Sequence, residues 1–153
     1  MKVNTMGNYL DDFSVGEIIS HSVSKTIFES DNNLFSLLTM NHHPLHINED
    51  FASKTQHGKI LVVGPLVISL VVGITVQDIS GKAIANLDYE KITHEEPVFI
   101  GDTIYVETEI LDTRVSKSKP DRGIVYVETR AFNQHGKKVL TLRRHILIPK
   151  REE

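Results

Sequence analysis

From Ile60 to Val76 the chain runs for seventeen residues without a charged side chain, and any fold it adopts must hide that segment. Strands seldom exceed about ten residues, and a bilayer span needs about 20 predominantly apolar ones. This run is shorter than a span and contains Ser69, Thr75 and two glycines. A buried element inside a protein core is the expected outcome. Its many β-branched residues favour a strand by propensity, whereas its length favours a helix. Gly64-Pro65 reads as a helix start with proline in the first turn, and Gly81 as a stop. A helix over Pro65–Ile79 is expected, hydrophobic on all sides and therefore buried all round. At about 1.5 Å per residue it would be roughly 22 Å long.

The rest of the chain must supply the cover. Gly16 to Phe28 reads as a first strand, rich in Ile, Val, Ser and Thr. Ser30 offers an N-cap to a helix over Asp31–Met40, whose Leu34, Phe35, Leu37 and Leu38 form an apolar face. His42 to Ile47 is expected to be a loop, because Pro44 disfavours helix at its own position and at the residue before it. Asn48 is placed to cap a short helix over Glu49–Thr55. After Gly81 the period becomes that of a strand. The candidates are Lys82–Thr93, Thr103–Ser116, Gly123–Asn133 and Lys137–Pro149, the last two joined by a Gln134-His135-Gly136 turn. An apolar helix followed by antiparallel strands hides its circumference only if the sheet wraps it. The fold class is therefore α+β.

At 153 residues the chain suits one domain, residues 1–153, with a core large enough to need no staples. A formal net charge of -3 argues against a general nucleic-acid binder. With no cysteine, disulfides, thiol nucleophiles and Cys-based metal sites are excluded. Met1-Lys2-Val3-Asn4-Thr5 lacks the apolar core of a signal peptide, so a cytoplasmic protein with no membrane partner is expected.

The chemistry-bearing stretch is Asn41-His42-His43-Pro44-Leu45-His46, followed by Phe51-Ala52 and then Gly64. A proline-stiffened segment that fixes one histidine suits proton transfer near neutral pH. These residues resemble the hydratase segment of the MaoC-like acyl-CoA hydratases, whose pattern is Asp-x-Asn-Pro-x-His, then Phe-Ala, then a glycine-led helix. Pro44, His46, Phe51, Ala52 and Gly64 match; Asn41 stands where the family has its aspartate, and His43 where it has its asparagine. Pro97-Val98-Phe99-Ile100-Gly101-Asp102-Thr103 and Asn133-Gln134-His135-Gly136 resemble further family segments, so the likeness covers nearly the whole chain. Ser116 to Val125 looks closest to the branch that handles short, branched dicarboxylic acyl-CoAs such as mesaconyl-CoA.

The resemblance implies a hot-dog fold, a homodimer, an acyl-CoA substrate, no cofactor and no metal. It implies that water is added across, or removed to form, the 2,3-double bond of a CoA thioester. His46 would be the acid–base group, and the Gly64 N–H at the helix start the donor to the thioester oxygen. Asn41 cannot take a proton but can orient water through its side-chain oxygen. His43 and Pro65 are expected to meet the substrate. Three readings stay open: His46 works alone with Asn41 orienting the water, His43 restores a second titrating group, or the activity is lost. His42, His43 and His46 as metal ligands are disfavoured, because Pro44 interrupts the helix that would align them. A thioesterase on the same fold is one rival, weakened because Pro65–Val76 carries no carboxylate. A non-catalytic acyl-CoA-binding module is the other. Lys117, Lys119, Arg122, Arg143, Arg144, Lys150 and Arg151 are candidates for CoA phosphates, although solvated charge explains most of them.

Overall fold

The structure, a computed structural model, describes Met1 and residues 6–152; Lys2 to Thr5, part of the segment inspected for a signal peptide, lie outside the described residues. Three long strands carry the architecture: β5 (Thr103–Val115), β6 (Arg122–Phe132) and β7 (Lys138–Pro149), antiparallel and in chain order. Their alternation works as anticipated. Ile104, Val106, Thr108 and Ile110 face inward from β5, and Val125, Val127, Thr129 and Ala131 do so from β6. Gly136, in the turn between β6 and β7, has φ 75°, which a side chain would resist. β1 (Ile18–Ser20) and β2 (Lys25–Thr26) both pair with β5 at one edge. At the other, β3 (Ala85–Asn86) and β4 (Glu90–His94) pair with β7. Two expected strands, Gly16–Phe28 and Lys82–Thr93, are thus each two short ones. Propensity marks where a strand is tolerated, but pairing with the long neighbour decides where it forms.

The long helix α4 spans Gly64–Thr75 and ends in a π-turn over Val76–Ser80. Val67, Val71 and Ile74 sink into the sheet against Ile104, Ala131, Leu140 and Leu142. Each side chain so buried stabilises the fold by about 1.5–3 kcal/mol. A second cluster around Ile79 closes the far end with Leu10, Phe13, Ile110, Val125 and Ile146. The wrapping is one-sided, which corrects the expectation of burial all round: Pro65, Ser69 and Gly73, four residues apart, are exposed along one stripe. The short edge strands do not reach around the helix.

Helix α1 (Glu29–Leu38) departs from expectation twice. Its N-cap is Phe28, not Ser30, and the Asp31 carboxylate accepts from the Phe28 N–H at 2.9 Å. Its face is also inverted: Asn32 and Ser36 are buried, whereas Leu34, Leu37 and Leu38 are exposed. The reason is the hydrogen bonding of Asn32, described below. The expected loop from His42 contains a helical turn, α2 (Pro44–Ile47). Proline at the first helical position loses no intrahelical bond and has the right φ, and His43 Nδ1 caps the turn by accepting from the Leu45 N–H at 3.1 Å. Asn48 caps α3 (Glu49–Ser53) as expected, its Oδ1 accepting from the Phe51 N–H at 3.0 Å.

Candidate active site

Helix α2 presents His46 to the strand-like segment that enters α4. The ring Nδ1 lies 2.7 Å from the Leu61 carbonyl oxygen. A carbonyl only accepts, so Nδ1 carries the proton, and the neutral ring keeps its lone pair on Nε2. Nε2 has no partner among the described residues. His46 is half-buried.

The segment around Leu61 is fixed from several sides. Leu61 pairs with Phe99, and the Val62 N–H donates to the Val98 carbonyl at 2.9 Å. Asn32, only 1 % exposed, ties it to the histidine: its Nδ2 donates to the His46 carbonyl at 2.9 Å, and its Oδ1 accepts from the Val63 N–H at 2.9 Å. One buried amide thus joins the backbone of the candidate base to the residue before Gly64. Sequence reasoning missed it. The available signal was an asparagine inside a helix, where its side chain normally competes with the backbone.

Gly64 is the first residue of α4, so its N–H has no acceptor within the helix and none elsewhere among the described residues. The helix dipole adds partial positive charge there. A cavity of about 360 Å³ opens at this point, lined by Leu61, Val62, Gly64, Val67 and His94 among others. His46, Asn41, His43 and Pro65 are not among its lining residues; His46 borders it through Leu61. Asn41 is half-buried, and its Oδ1 accepts from the His43 N–H at 3.3 Å. It therefore caps the chain's entry to α2 locally. His43 is exposed, with its ring centroid 5.9 Å from that of His46.

Among the described residues, Asp88, Glu90 and His145 are the group with metal-ligand spacing, and His42, His43 and His46 do not converge on a common point. The Asp88 carboxylate is bonded to His145 Nδ1 at 2.9 Å and Glu90 accepts from the Tyr126 hydroxyl, so the three are occupied with one another and with Tyr126. Several basic residues considered for CoA are likewise engaged. Arg122 pairs with Asp121, Arg143 with Glu128 and Arg151 with Asp12. Arg144, 2 % exposed, donates to Thr75, Ser80 and Asn86; burial lowers its pKa from the usual arginine value.

The family model for mesaconyl-CoA hydratase matches residues 1–153. The chain belongs to the mesaconyl-CoA hydratase family. It is 34% identical over 152 residues to a mesaconyl-CoA hydratase of Cereibacter sphaeroides, covering 99% of this chain and 44% of that protein. It superposes on a putative MaoC domain protein dehydratase from Chloroflexus aurantiacus with a TM-score of 0.93 and 33% identity, over 99% of this chain and 43% of that one. An (R)-specific enoyl-CoA hydratase of Aeromonas caviae is 30% identical over 127 residues, 83% of this chain and 90% of that protein. The chain thus spans less than half the length of the longer relatives and nearly the whole of the shorter one. The sheet curved around α4 is the hot-dog fold. No helix among the described residues is long and apolar enough to cross a membrane.

Proposed function

We propose that this member of the mesaconyl-CoA hydratase family adds water to, or removes it from, the 2,3-position of a CoA thioester. The His46–Leu61 bond carries the reading, because it leaves the basic nitrogen unpartnered on a ring tied to the segment that leads into α4. In the hydration direction, Nε2 of His46 takes a proton from water as its oxygen bonds to C3. The double-bond electrons shift onto the thioester oxygen, which accepts from the Gly64 N–H. The imidazolium then returns a proton to C2. General acid–base catalysis of this kind contributes about 10²–10⁴-fold, and one oxyanion donor about 10²–10³-fold.

The substrate proposed is a short, branched or dicarboxylic acyl-CoA, by analogy with the names of the longer relatives. Lys59 and Lys137 line a groove that shares Glu96 and Pro97 with the cavity and suits the phosphates of CoA. His43 and Pro65 stand at the rim of the site in this reading. Asn41 supports the alternative of a CoA-thioester-binding module without turnover, since it offers no proton acceptor.

We also propose that residues 1–153 are one domain and that two copies pair as a homodimer in the cytoplasm, where CoA thioesters are made and used. The uncovered stripe of α4, the exposed Tyr89 that shares a groove with Ser69 and Gly73, and the exposed Leu87 and Ile92 favour pairing. Light scattering at micromolar concentration tests this: twice the chain mass is expected, and a monomer removes it. Turnover of a panel of enoyl-CoA thioesters, followed by absorbance, tests the activity.

A further inference from the structure

The oxygen of a thioester that becomes enolate-like needs more than one hydrogen-bond donor if its charge is to be held well, and Gly64 supplies one. A second group stands at the same point. A Cβ built on Gly64 would lie 2.9 Å from Nε2 and 3.1 Å from Cε1 of His94. In a helix the Cα–Cβ bond tilts toward the N-terminus, so the His94 ring lies over the same end of α4 from which the Gly64 N–H emerges. Standard backbone dimensions put a residue's N about 2.5 Å from its Cβ. Nε2 of His94 is therefore within about 5.4 Å of the Gly64 nitrogen. Two donors each about 2.9 Å from a shared oxygen stand at most about 5.8 Å apart. The two groups thus lie within the reach of one shared oxygen.

The setting of His94 agrees with this use. It ends β4, paired with Leu140 of β7, and the next residue's N–H donates to the Val139 carbonyl at 3.0 Å, so its backbone is fixed to the sheet. Its ring has no hydrogen-bond partner among the described residues, although it lines the cavity with Gly64 and Leu61. The carboxylate of the adjacent Glu95 is turned to the Thr141 hydroxyl at 3.1 Å and leaves the ring unclaimed.

We infer that His94 is a catalytic residue: its Nε2–H is the second donor, beside the Gly64 N–H, to the thioester oxygen of an enoyl-CoA. The inference rests on the hydratase reading above. It gives Gly64 a reason to lack a side chain beyond chain geometry, since a methyl group would fill the space that the oxygen and the imidazole share. It also supplies polarisation that does not depend on the family aspartate absent at position 41.

Two variants test it, each checked by circular dichroism for an intact fold. His94→Phe keeps a ring and removes the donor; His94→Gln keeps an N–H of similar reach. With crotonyl-CoA, His94→Phe should lose about 10²–10³-fold in kcat with little change in KM, and His94→Gln should recover most of it. A readout independent of turnover uses saturated butyryl-CoA with ¹³C at the carbonyl. Its carbonyl stretch should move to lower frequency when bound to the parent, and move less when bound to His94→Phe. Turnover and carbonyl shift equal in the parent and His94→Phe overturn this assignment while leaving the hydratase reading standing. Equal losses in His94→Phe and His94→Gln also overturn it. A parent that neither turns over crotonyl-CoA nor binds butyryl-CoA removes the hydratase reading and this donor with it.

Discussion

His46 donates from Nδ1 to the carbonyl oxygen of Leu61 across 2.7 Å. That contact selects the tautomer, aims the ring and ties the candidate base to the segment that leads into α4. Gly64, the proposed oxyanion donor, follows Leu61 by three residues, so the candidate base and the helix start are held by one hydrogen-bonded segment.

Asn32 holds that segment from below. Asn32→Ala leaves the Val63 N–H and the His46 carbonyl without a side-chain partner at a site 1 % exposed. A buried group left unpaired costs about 1–3 kcal/mol, so the melting temperature should fall by several degrees. The kcat should fall more than KM rises, because both catalytic elements lose their registration. A thermal melt and steady-state kinetics check this; an unchanged melting temperature contradicts it.

Gly64→Ala should separate folding from activity. The new methyl would sit 2.9 Å from His94 Nε2, the far end of a flexible side chain that can move aside. The melting temperature should stay close to that of the parent. Displacing the groups at the helix start by an ångström should cost about 10²-fold in kcat. Full activity in this variant would place the thioester elsewhere.

Asn41→Asp restores the family carboxylate five residues before His46, where it is proposed to face the ring. A neighbouring negative charge favours the imidazolium, so the pKa of His46 should rise in the variant. The base then stays protonated to higher pH, and the acid limb of the rate–pH profile should move upward, with the maximal rate held or increased. Asn41→Ala should instead lose rate and loosen α2, since Asn41 Oδ1 accepts from the His43 N–H. Identical profiles in the parent and both variants would remove Asn41 from the site.

On the outer face of the sheet, burial tends to raise the Glu128 carboxyl, but hydrogen bonds from Arg143 and Arg130 outweigh it and hold it below its ordinary 4.5. A depressed carboxylate stabilises the fold above the unfolded value and loses that contribution as pH falls through the folded one. Glu128→Gln should therefore destabilise by about 1 kcal/mol at neutral pH, and the difference should shrink as pH falls below about 4.5. Urea titrations at pH 7 and pH 3.5 read this out; an equal difference at both contradicts it.

The elements that were legible in the sequence are those with a long, uniform period. Strands β5, β6 and β7 alternate over eleven to thirteen residues each, and the charge-free run before them reads as the central helix through its length, against its β-branched propensity. The edges were less legible. β1 to β4 are two to five residues long, set by pairing rather than by pattern. Helix α1 misled because its leucines face outward while Asn32 turns inward to serve two backbone groups, which no apolar periodicity signals. At the candidate site, His46 and Gly64 stand out in the sequence through the motif, and the structure bonds His46 to Leu61, three residues before Gly64; their roles are those proposed above. The helical turn at Pro44 is not legible, since proline disfavours helix except at the first helical position, which is where it stands. His94 carries no motif; only the folded sheet brings it over Gly64.

The most direct measurement follows the absorbance of the enoyl-thioester band when the purified protein meets mesaconyl-CoA and crotonyl-CoA, beside the variant His46→Ala. The band should decay with the parent. It should decay about 10²–10⁴-fold more slowly with His46→Ala, whose circular dichroism should match the parent's. A parent that leaves both thioesters unchanged, or a variant within about threefold of the parent, would contradict the assignment of this site as a hydratase centre.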